Sequence, residues 1–140
     1  MKLGTKTRYS ARAMVDLALN FADGSEVATV KDIATREHIS VKYLENLLAS
    51  LRSAGLVRSV RGAKGGHTLT RTPDQINLHE IYQVFEGTEG FVECTTSPEL
   101  CERADGCVTQ EVWAQMYDAC VEILESTTLE DLSRRAREKR

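Results

Sequence analysis

Three cysteines, Cys94, Cys101 and Cys107, fall within fourteen positions of a 140-residue chain, separated by six and five residues. Thiols gathered in this way bind metal or sense redox state. The spacing is not that of the paired C-x-x-C ligands of a zinc ribbon. Pro98 and Gly106 break the segment and allow the thiols to converge. Glu93, Glu102 and Asp105 make it electronegative, which favours a cation. Reduced, unligated thiols and a disulfide-forming pair are the alternatives. Cys120 stands apart, on an apolar stripe with Met116 and Ile123, and reads as a small hydrophobe.

A second group of residues suits a polyanion. Residues 1–72 carry 12 Lys and Arg against 6 Asp and Glu, whereas residues 73–140 carry 6 against 15. Only the front half is therefore expected to face nucleic acid. Within it, Ser40-Val41-Lys42-Tyr43-Leu44-Glu45-Asn46 reads as the first turns of a helix with Leu44 inward. Glu45 can accept from a cytosine amino group and Asn46 can read adenine. Ser40, Lys42 and Tyr43 suit phosphates or mixed contacts. Arg61 and Lys64 lie among glycines, which let backbone N–H groups approach phosphate and an arginine enter a minor groove. Lys2, Lys6 and Arg8 add charge ahead of the first helix. A carboxylate repels phosphate, so Glu45 is alternatively a local pair or a device that rejects wrong sequences.

These residues need elements to hold them. Apolar residues at helical spacing from Tyr9 to Phe21 predict a first helix. Thr29 and Asp32 form a capping-box pattern ahead of a short helix, Val30 to Glu37. Ser40 caps a third that buries Leu44, Leu47, Leu48 and Leu51 and stops at Gly55. Leu56–Val60 and His67–Thr70 read as a β-hairpin with a glycine-rich basic tip. Asn77 and Glu80 start a helix from Leu78 to Phe85, and residues 86–107 read as a long loop. A long helix, Val108 to Ser126, carries Val112, Trp113, Met116, Ala119, Cys120, Ile123 and Leu124 on one stripe. Thr128 and Asp131 open a last helix, and the tail Arg134–Arg140 is expected to fray.

The order helix, short helix, helix, hairpin is that of a winged helix-turn-helix. The expected fold is mainly α with a small β-hairpin wing, followed by a long C-terminal helix. Residues 1–73 are the expected winged helix-turn-helix DNA-binding domain, and residues 74–140 carry the cysteine loop and the long helix. The composition, 41% hydrophobic and 28% charged, is that of a globular protein. With no long apolar run and no signal-peptide pattern, a cytoplasmic protein without membrane contact is expected. The chain shows no Ser-His-Asp pattern, no H-E-x-x-H and no P-loop spacing, so an enzyme is not expected.

Arg8-Tyr9, Tyr43-Leu44-Glu45, Gly55-Leu56-Val57, Val60-Arg61-Gly62 and Gly65-Gly66 resemble the IscR-like family of bacterial iron–sulfur cluster repressors. Cys94, Cys101 and Cys107, then Trp113 and Thr128-Leu129, resemble its second half. The resemblance implies a homodimeric transcription factor that binds a double-stranded DNA operator and is controlled by an iron–sulfur cluster sensing redox state, iron or nitric oxide. It assigns Tyr43, Glu45 and Arg61 to DNA contact and Cys94, Cys101 and Cys107 to the cluster. It makes residues 74–140 a cysteine-loop sensor and dimerisation region, the long helix the dimerisation helix, and places Trp113, Met116, Cys120 and Ile123 on the dimer interface. The chain departs from the pattern at Gln110, where two-iron members have histidine. It departs again at Lys6-Thr7-Arg8-Tyr9, which lacks the carboxylate of four-iron relatives. The cluster is therefore [2Fe–2S] or [4Fe–4S]. Its fourth ligand is Gln110, a nearby acid such as Glu93 or Asp105, a group from the partner subunit, or a small exogenous ligand. Zinc or thiol/disulfide sensing on the same DNA-binding frame is the alternative, and a metal-dependent enzyme is the less favoured one.

Overall fold

The first helix begins earlier than its apolar stripe. In the computed structural model, which describes residues 1–140, α1 spans Thr5–Ala22 and buries Ala13, Met14, Leu17 and Ala18. The next helix, α2, spans Val30–Glu37. Thr29 accepts from the Asp32 backbone N–H at 3.1 Å, as a capping residue should. His38 takes a left-handed conformation (φ 54°) and turns the chain into α3, Val41–Ser53. Ser40 caps α3 by accepting from the Tyr43 N–H at 3.2 Å. Gly55, at φ 79°, ends it, with the Leu56 N–H closing back on the Leu51 carbonyl at 3.0 Å.

Strands β1 (Val57–Val60) and β2 (Gly66–Leu69) pair antiparallel, Val57 opposite Leu69 and Val60 opposite Gly66. The His67 and Ala28 backbones exchange two hydrogen bonds, which tie this wing to the turn before α2. Helix α4, Leu78–Glu86, opens with a complete Asn77/Glu80 capping box. The segment expected to be a plain loop holds short structure. A one-turn helix, α5, covers Glu93–Thr96, and single 3-10 turns cover Pro98–Leu100 and Ala104–Gly106. Helix α6 spans Val108–Ser126, as predicted.

The basic tail does not fray. Helix α7 runs from Leu129 to Glu138 behind a Thr128/Asp131 capping box, with Arg134 on Asp131 and Arg137 donating to the Ser133 hydroxyl. Buried Leu129 and Ser133 dock it on the rest of the chain, which the tail's charge did not reveal.

One apolar core joins the two halves. Ala13, Leu17, Ile33, Leu44, Leu48, Leu51 and Leu69 pack in the same cluster as Ile76, Ile81 and Leu129. Each fully buried leucine contributes about 1.5–3 kcal/mol. Helix α6 is the exception. None of its 19 residues is buried, and Val112, Trp113, Met116 and Ile123 are exposed. No helix is long and apolar enough to cross a membrane.

Candidate nucleic-acid interface and cysteine loop

Helix α3 presents its amino end to solvent. Leu44, Leu47, Leu48 and Leu51 face the core, while Ser40, Lys42, Glu45 and Asn46 are exposed and Tyr43 is half-buried. Tyr43 is engaged on its inner side: its ring meets that of Tyr9 edge-on, centroids 5.9 Å apart. Tyr9 was not among the candidate residues. Arg12 lies over the Tyr9 ring, 5.1 Å from the centroid, and pairs with Glu37 of α2. This aromatic pair ties the start of α1 to the first turn of α3, so Arg8 and Tyr43 are carried on joined elements.

The wing is set against α3 by Arg52, whose Nη1 donates to the Ser59 hydroxyl at 3.1 Å. Arg61 and Lys64 are exposed at the hairpin tip. Across from Ser59, His67 is half-buried, and burial holds its imidazole below the usual range. Lys2 and Arg8 are exposed, and Arg8 Nη2 donates to the Thr5 hydroxyl at 3.4 Å. In the single chain Glu45 makes no ion pair, and neither do Lys42, Arg61 and Lys64.

The three clustered cysteines are free thiols, each partly exposed. Cys94 is in α5, Cys101 follows the turn Pro98–Leu100, and Cys107 is the residue that precedes α6. No three cysteine, histidine or carboxylate side chains converge on a common point. Cys107 has polar neighbours. The Thr109 hydroxyl, 3.2 Å from its Sγ, and the Gln110 backbone N–H hold its thiol below the usual thiol range. It lines an open cleft of about 480 Å³ with Glu102, Arg103, Gly106, Val108 and Thr109.

Two hydrogen bonds pin the loop to α6. Gln110 Nε2 donates to the Cys94 carbonyl at 3.1 Å, and the Tyr117 hydroxyl donates to the Thr88 carbonyl at 3.0 Å. Gln110 thus spans Cys94 and the turn that follows Cys107. Trp113, Met116 and Ile123 are exposed, so none is core in the single chain. Cys120 is partly exposed and lines an apolar pocket of about 180 Å³ with Met1, Leu3, Ile123 and Leu124.

Known proteins share this frame. Residues 3–135 match the family model Rrf2, described as an iron-dependent transcriptional regulator. Over 137 residues the chain is 39% identical to the protein rrf2 of Nitratidesulfovibrio vulgaris, covering 97% of this chain and 89% of that one. The solved structure of CymR from B. subtilis superposes with a TM-score of 0.81 at 41% identity, over 96% of this chain and 97% of that one. The structure of T. potens IscR superposes with a TM-score of 0.80 at 39% identity, over 100% of this chain and 91% of that one. The winged-helix frame, the matched length and these identities lead to one conclusion: the chain belongs to the Rrf2 family of DNA-binding transcriptional regulators.

Proposed function

We propose that the protein is a homodimeric regulator whose grip on a DNA operator is set by an iron–sulfur cluster held on the three-cysteine loop. The observation that carries this reading is the placement of three free thiols on one segment clamped to α6 by Gln110 and Tyr117. The donor chemistry fits such a group. Three partly exposed thiols are available, and at one, Cys107, the Thr109 hydroxyl lies 3.2 Å from Sγ, placed to donate to the thiolate that iron requires. Bringing them to a point requires the short turns of residues 93–107 to repack around the thiols. Cys94, Cys101 and Cys107 would be the protein ligands, with Gln110 adjacent as the candidate fourth. When bound, the group supplies redox-responsive chemistry. The chain's own part is to hold it and to transmit its state through α6.

In this reading residues 1–73 read DNA and residues 74–140 sense and dimerise. Ser40, Lys42, Tyr43, Glu45 and Asn46 face the major groove. Arg61 and Lys64 of the wing, with Lys2 and Arg8, bind phosphates or the minor groove. Val112, Trp113, Met116 and Ile123 leave an apolar face on α6 that a second copy covers, with Cys120 at the same seam.

The test is anaerobic purification followed by iron and sulfide quantitation and an optical spectrum. A brown protein with stoichiometric sulfide, bleached by Cys94→Ala, Cys101→Ala or Cys107→Ala, is the expected result. An iron-free, colourless protein with intact operator binding overturns the cluster. The opening of Cys107 onto a solvent-filled cleft, with the Thr109 hydroxyl 3.2 Å from its Sγ, favours one second reading, regulation through thiol chemistry on the same frame. CymR, the global cysteine regulator of B. subtilis, is in keeping with it. Under that reading the iron-free protein changes its operator affinity on oxidation, and Cys107→Ser abolishes the response.

A further inference from the structure

We propose that Glu86 is a positioning residue that carries the state of the cysteine loop to the DNA-reading surface. Glu86 is the last residue of α4, and the cysteine loop begins directly after it at Gly87. Its Oε1 accepts the Gly4 backbone N–H at 2.6 Å and the Thr7 hydroxyl at 2.8 Å. Gly4 is the N-cap of α1 and has no side chain to satisfy the free N–H groups there. A carboxylate 82 residues away in sequence therefore caps the helix, and a negative charge suits that end of an 18-residue helix.

The approach is tight. A Cβ on Gly4 would lie 2.8 Å from Glu86 Oε1, so a side chain there makes the carboxylate give way. The same arm is tied to α4 a second time, where the Lys2 N–H meets the Tyr82 hydroxyl at 3.5 Å.

From this cap the path to DNA is short. Thr7 is buried, and the next two residues are Arg8, exposed, and Tyr9, whose ring packs on Tyr43 of the recognition helix. A shift of the α4 end as the cysteine loop repacks moves Glu86, and Glu86 holds the first turn of α1. That turn holds Arg8 and, through the Tyr9–Tyr43 pair, the amino end of α3. This route acts within one subunit and is additional to α6.

The inference rests on the proposed sensing role of the loop, and the experiment separates the two. Operator affinity is measured by fluorescence anisotropy for the anaerobically purified full chain and for its Cys94→Ala/Cys101→Ala/Cys107→Ala form. The ratio of the two affinities is then compared between wild type and Glu86→Ala. The wild-type ratio is expected to lie in the range of about 5- to 150-fold that typical couplings give. Glu86→Ala is expected to bring it at least halfway to unity on a logarithmic scale, and Glu86→Gln, which keeps an acceptor, to restore part of it. A carboxylate that only stabilised α1 would weaken both forms equally, so an unchanged ratio overturns the proposal. A wild-type ratio of one removes the sensing role itself, and this route with it. If circular dichroism shows Glu86→Ala unfolded, Gly4→Ala, which displaces the carboxylate without deleting it, is read by the same ratio.

Discussion

The Asp16 carboxylate sits in the fork of the Arg36 guanidinium, with Nε on Oδ1 and Nη2 on Oδ2, both at 2.8 Å. Asp16 is only 2% exposed, and Asn20 Nδ2 adds a third donor at 3.2 Å. This pair joins α1 to the last turn of α2 and so fixes how the helix-turn-helix sits against α1. Arg36→Met leaves a buried carboxylate with one weak donor and is expected to cost about 2–4 kcal/mol. Asp16→Asn keeps the shape and frees an arginine that can reach water, so it should cost about half as much. Urea denaturation of the two variants checks the asymmetry.

The wing and the recognition helix should separate in a salt titration. On the proposed assignment of Arg61 and Lys64 to phosphate, Arg61→Ala or Lys64→Ala is expected to lower the slope of log affinity against log salt by about one. Glu45→Ala is expected to leave that slope unchanged and relax selectivity at one base position. Binding to a panel of operator variants at several salt concentrations reads both.

Ile123 is 64% exposed and Met116 44%, on a helix with nothing buried. Ile123→Glu is expected to convert a dimer to a folded monomer at micromolar concentration. Operator affinity should fall by a factor of about 100 or more, because the two half-sites are no longer bound together. Sedimentation velocity and anisotropy measure the two effects. A monomeric wild type contradicts the expectation.

Two carboxylates link stability to acid pH. The Gly4 N–H, then the Thr7 hydroxyl, hold Glu86 below the usual carboxylate range. The Thr128 N–H and hydroxyl do the same for Asp131. Both therefore bind protons less readily folded than unfolded. Their contribution is complete above the ordinary carboxylate range and is lost as pH falls through it toward their folded values. The melting temperature should drop between about pH 5 and pH 3, and Glu86→Gln should flatten that slope. Calorimetry across the range tests it.

Elements with their own periodicity and caps were legible in the residues. Helix α6 occupies the predicted Val108–Ser126, and Ser40, Asn77 and Thr128 cap where their spacing places them. What escaped reading depends on distant partners. Helix α1 starts at Thr5, where Glu86 accepts the Gly4 N–H, a bond that no local pattern around Thr5 can reveal. The tail is helical because Leu129 and Ser133 dock, although its arginines read as solvated. Tyr9 looks like one more stripe residue until α3 brings Tyr43 against it. Of the cysteine loop, the spacing was visible, but the four-residue α5 and the two single turns are too short to leave a period. The loop also leaves its thiols unconverged, which spacing alone cannot foretell.

Ile76, Ile81 and Leu129 share a cluster with the side chains of α1, α2 and α3. Grafting experiments inherit a constraint from that arrangement. A chimera cut at residue 73 would strand those three side chains on the wrong parent and expose apolar surface on both pieces. On the proposed sensing role of the cysteine loop, its specificity is best exchanged between relatives by transplanting residues 87–126 alone, keeping α4 and α7 with the helices whose core they complete.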